Sequence, residues 1–294
     1  MTSGIGVLCV GASHWDVIGR TDAHLHVGDD VAGRIERRPG GVATNVARGL
    51  AKHGVSAGLC SVIGDDPAGR ALILGLEDAG IDCAHLCRIA GAATGHYVAI
   101  EDHRGELFAA VADTALLEHH SDQVLRQVEL ALNDTRSVFV DANLGTAELE
   151  QIADACRNAG ARVFLNPVSP MKAPRLSFLL TGAYEATLIA NLAEASALMQ
   201  QTFENSADAA AAMQARASGT VLITHGSGPA TLATPDETVT MSPPALSGDA
   251  SVTGAGDALL SGFLSAQERD AAPAAALHFA LEAAAGHMTD GKTR

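Results

Sequence analysis

The chain is 294 residues long, 47% hydrophobic and 18% charged, with 34 acidic against 19 basic side chains. That length suits one large α/β domain with at most a small accessory piece, and the composition excludes a disordered protein. A net charge of −15 argues against a nucleic-acid backbone or an anionic membrane as partner, yet helix N-termini and a metal ion can still hold a phosphorylated ligand locally. No apolar run reaches transmembrane length. Residues 5–12 are apolar without a basic segment before them, so they read as a first strand and not as a signal peptide. The cysteines, Cys9, Cys60, Cys83, Cys87 and Cys156, are odd in number and mostly in apolar contexts, which points to reduced thiols and a cytoplasmic protein. Cys83 and Cys87 flank His85 at a metal-like spacing, but no second ligand pair follows.

The first strand ends in Ser13-His14-Trp15-Asp16, a polar cluster at the carboxyl end of a strand, where α/β proteins bind ligands. Residues 21–38 are polar with short alternating pieces and suit a hairpin off the main sheet. Pro39-Gly40-Gly41 breaks the chain before a helix over 42–53 whose apolar face is Val42, Val46 and Leu50. Asn45, a weak helix former in its first turn, suggests either a side-chain task or a local cap. A strand at 57–63 follows, then a helix from Pro67 toward Gly80. Residues 94–100 and 106–111, joined by Asp102-His103-Arg104-Gly105, read as a hairpin. Together with 21–38 it makes a small antiparallel flap, with lid segments at about 17–39 and 85–112 and with Asp113 beneath them.

From Ser121 helices and strands alternate: helix to Leu132, strand 137–142, helix 146–158, strand 162–166. This pattern implies a mostly parallel sheet covered on both faces. Asp141-Ala142-Asn143 and Asn166-Pro167-Val168-Ser169, with Lys172 after the second, again place polar groups just past strands. Residues 177–181 fit a short strand or a helix end. A strand at 186–190 ends in Asn191-Leu192-Ala193-Glu194, the pattern of a capping box. Residues 207–212 are Ala-rich and helical. A buried strand at 220–224 leads into His225-Gly226-Ser227-Gly228, where the glycines serve a nucleotide against the backbone or a tight turn into 230–234.

A polar stretch over 247–251 then leads into Val252-Thr253-Gly254-Ala255-Gly256-Asp257. Behind it Ala255, Leu259, Gly262, Phe263 and Ala266 recur at helical spacing, so a helix starts near Gly254. Its first N–H groups lack intrahelical partners and carry partial positive charge, which suits a phosphate. Asp257 is out of place for phosphate binding alone. It makes sense as a base that takes the proton of a hydroxyl attacking phosphorus. The plain alternative is a glycine-rich turn whose Asp favours the helix dipole. A last helix spans about 272–288.

Taken together these residues resemble the ribokinase-like carbohydrate kinases, the PfkB family, over nearly the whole chain. The anchors are Gly40-Gly41 with Asn45, Asn191-x-x-Glu194, Thr224-x-Gly226 and Thr253-Gly254-Ala255-Gly256-Asp257. Within the family, residues 11–16, Pro39-Gly40-Gly41-Val42, Ala112-Asp113, Asn166-Pro167-Val168-Ser169 with Lys172, and Val252 match the pseudouridine kinases. The resemblance implies a single doubly wound α/β/α domain with a small β lid, ATP and Mg²⁺ as cofactors, and transfer to a ribose-type hydroxyl. It implies Asp257 as base; Gly254, Ala255 and Gly256 as the amides facing the moving phosphoryl group; and Asp16, Gly40, Gly41 and Asn45 around the sugar. Asp113, Asn166 and Lys172 would read the rest of the acceptor, and His14, standing where the family commonly has Asn, would also contact it. Asn191 and Glu194 would hold Mg²⁺ through water, and Thr224, Gly226, Gly228 and Thr253 would face the nucleotide. Ser251 stands where the family often has Asp, which leaves its monovalent-cation site open. Ile189-Ala190 replace a common Lys-Pro, and the tail after Gly286 is short. The alternatives are a kinase of another nucleoside or of a free sugar, and a non-catalytic sensor on the same fold. An exposed lid edge suggests a homodimer.

Overall fold

The computed structural model describes residues 4–246 and 253–290. The polar approach over 247–251, with Ser251 and Val252, lies outside the described residues. The strands are β1 (Ile5–Val10), β2 (His14–Arg20), β3 (Arg34–Gly40), β4 (Ala57–Gly64), β5 (Leu86–Ile89), β6 (His96–Glu101), β7 (Leu107–Asp113), β8 (Thr135–Asp141), β9 (Arg162–Asn166), β10 (Thr187–Asn191), β11 (Thr220–His225), β12 (Gly228–Ala233) and β13 (Thr238–Met241). The helices are α1 (Val42–Lys52), α2 (Pro67–Asp78), α3 (Leu116–His119), α4 (Ser121–Ala131), α5 (Thr146–Ala159), α6 (Leu192–Met199), α7 (Ser206–Gln214), α8 (Ala255–Gln267) and α9 (Pro273–Asp290).

Among the described residues nine strands form one sheet, ordered β13-β12-β11-β10-β9-β8-β1-β4-β5. The pairings from β11 through to β5 are parallel, while β12 and β13 add antiparallel at one edge. The central strands read as continuous apolar runs because both of their faces are covered. In β1, Val7 and Cys9 point into one core with Leu50 of α1, Leu72 of α2 and Phe263 of α8. Leu8 and Val10 point into the other, with Val128 of α4, Ile152 of α5 and Leu198 of α6. The period-2 alternation of one six-residue strand thus feeds two cores. The doubly wound α/β/α sandwich with a mostly parallel sheet stands as the sequence implied.

A second sheet, ordered β3-β2-β6-β7, is the lid. Both of its hairpins are antiparallel, but its central pair, β2 with β6, runs parallel, so the flap is a mixed sheet. The lid is rooted by Trp15, whose indole N–H donates to Ala68 O of α2 at 2.9 Å while the Arg37 guanidinium lies over its ring at 3.7 Å. Asp66 secures the other root: it caps α2 through Gly69 N at 2.7 Å and accepts from Thr94 N–H at 3.0 Å and the Thr94 hydroxyl at 2.6 Å.

Several elements differ from expectation. Residues 13–16 do not end a main-sheet strand; the lid begins at His14, and the chain between β2 and β3 is loop. Leu86–Ile89, placed by sequence inside the second lid segment, pairs with β4 as the edge of the main sheet. The ambiguous stretch at 177–181 belongs to a 3₁₀ helix, Ala173–Thr181. Strand β13 was not foreseen, because four residues with two threonines carry little apolar signal.

Candidate active site

A cleft of about 250 Å³ opens at the carboxyl ends of the main-sheet strands, lined among others by Asn166, Asn191, Glu194, Thr224, Gly254, Gly256 and Asp257. Its position follows from topology: parallel strands deliver their last residues, and the N-termini of the following helices, to one side of the sheet. Gly254 is the N-cap of α8 in the left-handed region, φ 84°, where a side chain is strained. A Cβ there would also lie 2.7 Å from the His287 imidazole. The amides of Ala255, Gly256 and Asp257 are in the first turn, where N–H groups have no partner within the helix.

Asp257 faces the cleft and does not turn into the core. Its Oδ2 accepts from the Asn45 amide at 2.8 Å, which fixes the carboxylate's orientation from a different helix. Burial pushes its pKa up to about 6; the Asn45 bond opposes this, the charges of Asp141 and Asp16 add to it, and Arg38 opposes it. Such a group is ionised at neutral pH and close enough in proton affinity to act as a general base.

On the lid side, Asp16 Oδ1 sits 3.2 Å from His14 Nε2 and Oδ2 sits 3.7 Å from Arg38 Nε. A Cβ at Gly40 would displace the Asp16 carboxylate, while at Gly41, φ 97°, a Cβ would run into the backbone oxygen of Ala12. His14 Nδ1 and Ser13 Oγ are buried with no partner among the described residues. Arg48, one helical turn beyond Asn45, is desolvated and feels both Arg38 and Asp16.

On the opposite side Asn191 caps α6. Its side chain accepts from Glu194 N–H at 2.9 Å while Glu194 Oε2 accepts from Asn191 N–H at 2.9 Å, a complete capping box. Burial raises the Glu194 pKa, against the bond from Asn191. Thr224 pairs in register with Asn191 across β10 and β11. Among the described residues no group of three or more His, Cys, Asp or Glu side chains could cage a metal. One carboxylate and one amide beside an anion loop do fit Mg²⁺, which keeps most of its waters and takes phosphate oxygens.

Asp257, Asn191, Glu194 and Thr224 line the cleft; Asn45 reaches it through Asp257, while Asp16, with His14 and Gly40 against it, and Gly41 are not among its lining residues. Four further candidates stand apart. Gly226 and Gly228 form the turn into β12, with Gly226 at φ 52°, and Asp113 ends β7 exposed at the lid root. Thr253 is exposed, and its carbonyl meets His287 Nε2 at 3.1 Å. Asn166 lines the cleft, but its amide is committed to backbone: Nδ2 donates to Ile189 O and Oδ1 accepts from Val168 N–H, each at 2.9 Å. That clamp holds Val168 in the left-handed region at φ 68°, a costly conformation for a β-branched residue. Lys172 donates to the Asn143 side-chain oxygen Oδ1 and does not line the cleft.

Residues the sequence did not single out are Arg38, Arg48 and His287. No local motif marks them: Arg38 reaches Asp16 only across the β2–β3 pairing, and His287 reaches Thr253 across 34 residues.

The model of the pfkB family of carbohydrate kinases matches residues 5–294. A pseudouridine kinase of Escherichia coli (strain K12) is 29% identical over 192 residues, 65% of this chain and 60% of that protein, so the matched part spans somewhat over half of the relative's length. An ATP-dependent ribose-1-phosphate kinase of Halopiger xanaduensis is 29% identical over 290 residues, 98% of this chain and 93% of its own. Arabidopsis thaliana ribokinase, solved with ribose and ATP, superposes with a TM-score of 0.79 at 21% identity, covering 97% of this chain and 93% of its own; at that identity the likeness concerns the ribokinase-like fold.

Proposed function

The chain belongs to the pfkB family of carbohydrate kinases, and from that premise we propose that it phosphorylates a ribose-type hydroxyl with ATP, its acceptor being the 5′-hydroxyl of pseudouridine. The observation that carries this reading is Asp257: a half-buried carboxylate in the first turn of α8, held by Asn45 and facing the cleft. The acceptor oxygen loses its proton to Asp257 and forms a bond to the γ-phosphorus of ATP, and the bond from that phosphorus to the bridging oxygen breaks to release ADP. Phosphoryl transfer of this kind rests on in-line placement and charge stabilisation more than on covalent help. The amides at Gly254, Ala255 and Gly256 are oriented before the reaction begins, so stabilising the transferred group costs little reorganisation.

Asp16, with His14 and Arg38 fixing its two oxygens, accepts from sugar hydroxyls, while Gly40 and Gly41 let the sugar approach the backbone. The buried carboxylate of Glu194 and the Asn191 side chain would hold Mg²⁺ through water, and the ion would supply neutralisation of the triphosphate's charge. Thr224, Thr253 and the Gly226–Gly228 turn border the nucleotide, with Asp113 at the far rim of the acceptor. The lid excludes water, which would otherwise take the phosphoryl group.

A panel of pseudouridine, uridine, adenosine, ribose and ribose 1-phosphate with ATP and Mg²⁺, read as ADP release and product mass, tests this. Pseudouridine should give the highest kcat/KM; a clear lead for ribose or adenosine would overturn the acceptor assignment. Ribose 1-phosphate stands for a second reading, a sugar already carrying an anion. It is favoured by the pairing of Arg38 with the desolvated Arg48 beside Asp16.

No helix among the described residues is long and apolar enough to cross a membrane, and all five cysteines are free thiols, in keeping with a cytoplasmic enzyme. Its small-molecule acceptor and its donor are the partners this reading names. A second copy is the further partner. Ile35, Val98, Ile100 and Val111 share one face of the lid by register and are all exposed, Ile35 at 79% and Val111 at 72%. Light scattering should give a dimer mass that Val111→Glu reduces toward the monomer.

A further inference from the structure

Asp141 ends β8 and is wholly buried. Its Oδ2 accepts from Ala12 N–H at 2.9 Å and Ala43 N–H at 3.0 Å. Its Oδ1 accepts from Asn143 N–H at 3.0 Å and from the Asn143 amide at 2.8 Å. Burial raises the pKa of this group, against those four bonds. All four partners are donors, however, and a protonated carboxyl would need an acceptor for its own hydrogen. The buried group is therefore the carboxylate, kept ionised by its donors. Behind it, the Asn143 side-chain oxygen Oδ1 accepts from the Lys172 ammonium. Arg175 braces the same loop through the carbonyls of Ala142, Asn143 and Leu144, at 3.1, 3.3 and 3.0 Å, and pairs with Glu118 at 2.9 Å.

The two backbone groups that Asp141 grips are the ones the site is hung on. Ala12 lies two residues before His14 and four before Asp16, on the chain entering the lid. Ala43 is the second residue of α1, which carries Asn45 and, through it, Asp257. The Thr44 hydroxyl closes the junction by donating to Ala12 O at 3.2 Å. We propose that Asp141 is a positioning residue that registers the acceptor strand against the base-holding helix, with Lys172, acting through Asn143, as the cation that offsets its charge. Lys172 accordingly serves the base and not the acceptor.

Asp257 is held by Asn45 from α1 and feels the charges of Asp141 from β8, Asp16 from β2 and Arg38 from β3. Asp141 is also neighbour to Cys9 on β1, and Lys172 to Arg175 and Glu118. The neighbours at Asp257 give the two ends of the relay opposite effects on it. Removing the Asp141 charge eases proton loss at Asp257, while removing the Lys172 charge leaves Asp141 less compensated and makes that loss harder.

This inference rests on the kinase reading only for its kinetic arm. The test is carboxyl ¹³C titration of aspartate-labelled protein, with the Asp257 resonance assigned by D257N. Asp141→Asn should lower the Asp257 midpoint by about one pH unit, and Lys172→Met should raise it by less. General loss of packing does not produce shifts of opposite sign. An unmoved or raised midpoint in D141N overturns the proposal. Should D141N fail to fold, an unmoved or lowered midpoint in K172M overturns it alone. In turnover, the acid limb of kcat/KM should follow the same two shifts, and in D141N the acceptor KM should rise while the ATP KM holds. If the parent phosphorylates no acceptor in the panel, the function falls and the carboxyl titration still decides the role of Asp141.

Discussion

On the side of the cleft proposed for the donor, Asn191 and Glu194 sit at the N-terminus of α6, which follows directly from β10, and the segment from Gly254 to Asp257 sits at the N-terminus of α8. On the acceptor side, His14, Asp16 and Arg38 sit on lid strands and meet only through strand pairing. The proposed donor side offers backbone amides and a capping box, local features that six consecutive residues or fewer can build. The acceptor side uses side chains from strands that are separated in sequence and joined by hairpins. The first arrangement suits an anionic group gripped by helix starts; the second can change what it contacts by changing a few lid residues. Asp257 is where the two meet, since it stands on the donor helix and is aimed by Asn45 from the helix that follows the lid.

Substitution should separate the two sides, and the largest effect belongs to their meeting point. Asp257→Asn is expected to cut kcat roughly 10²–10⁴-fold while both substrates still bind, as steady-state kinetics and calorimetry would report. Next, Asp16→Ala should lower acceptor kcat/KM about 10- to 100-fold, the scale of hydrogen bonds to a charged group, with the ATP KM unchanged; a matching rise in the ATP KM would erase the distinction between the sides. Glu194→Gln is the converse. Glutamine preserves the capping box, so the change isolates the charge, and apparent Mg²⁺ affinity should fall roughly tenfold while acceptor KM stays put.

The smallest effect is on stability, and its sign is specific. The folded-state pKa of Asp257, about 6, lies above the ordinary aspartate value. The ionised group therefore costs stability at neutral pH, and the cost disappears as pH falls below the unfolded value, where both states are protonated. D257N should be more stable than the parent by about 1–3 kcal/mol at about pH 8, with the difference gone below about pH 3 in urea titrations.

Much of the donor side was legible before any coordinates. Gly254 through Asp257 before an apolar helical repeat, and Asn191 three residues before Glu194, are local patterns whose physics is a helix start. Gly226 and Gly228 show the limit of that reasoning: their spacing suits a nucleotide or a turn, and the turn they form into β12 is compatible with either. The acceptor side was less legible. His14 and Asp16 were found as polar residues, but they were placed at a strand end, when they belong to a lid strand. Lys172 was read as facing a ligand, and its partner Asn143 lies 29 residues back in the chain. Arg38 carried no signal, since its meaning depends on a cross-strand neighbour.

By itself the sequence determined the alternation of strands and helices, the two-sided sheet and the helix starts that can grip an anion, because periodicity, glycine and capping act within a few residues. Only the tertiary structure decided that Asn45 holds Asp257 across 212 residues and that Asp141 ties Ala12 to Ala43. It also decided that Asp16 meets Arg38. Those outcomes depend on which strands lie side by side and on which charges share a buried space, and neither sheet order nor burial is encoded in the spacing of any single motif.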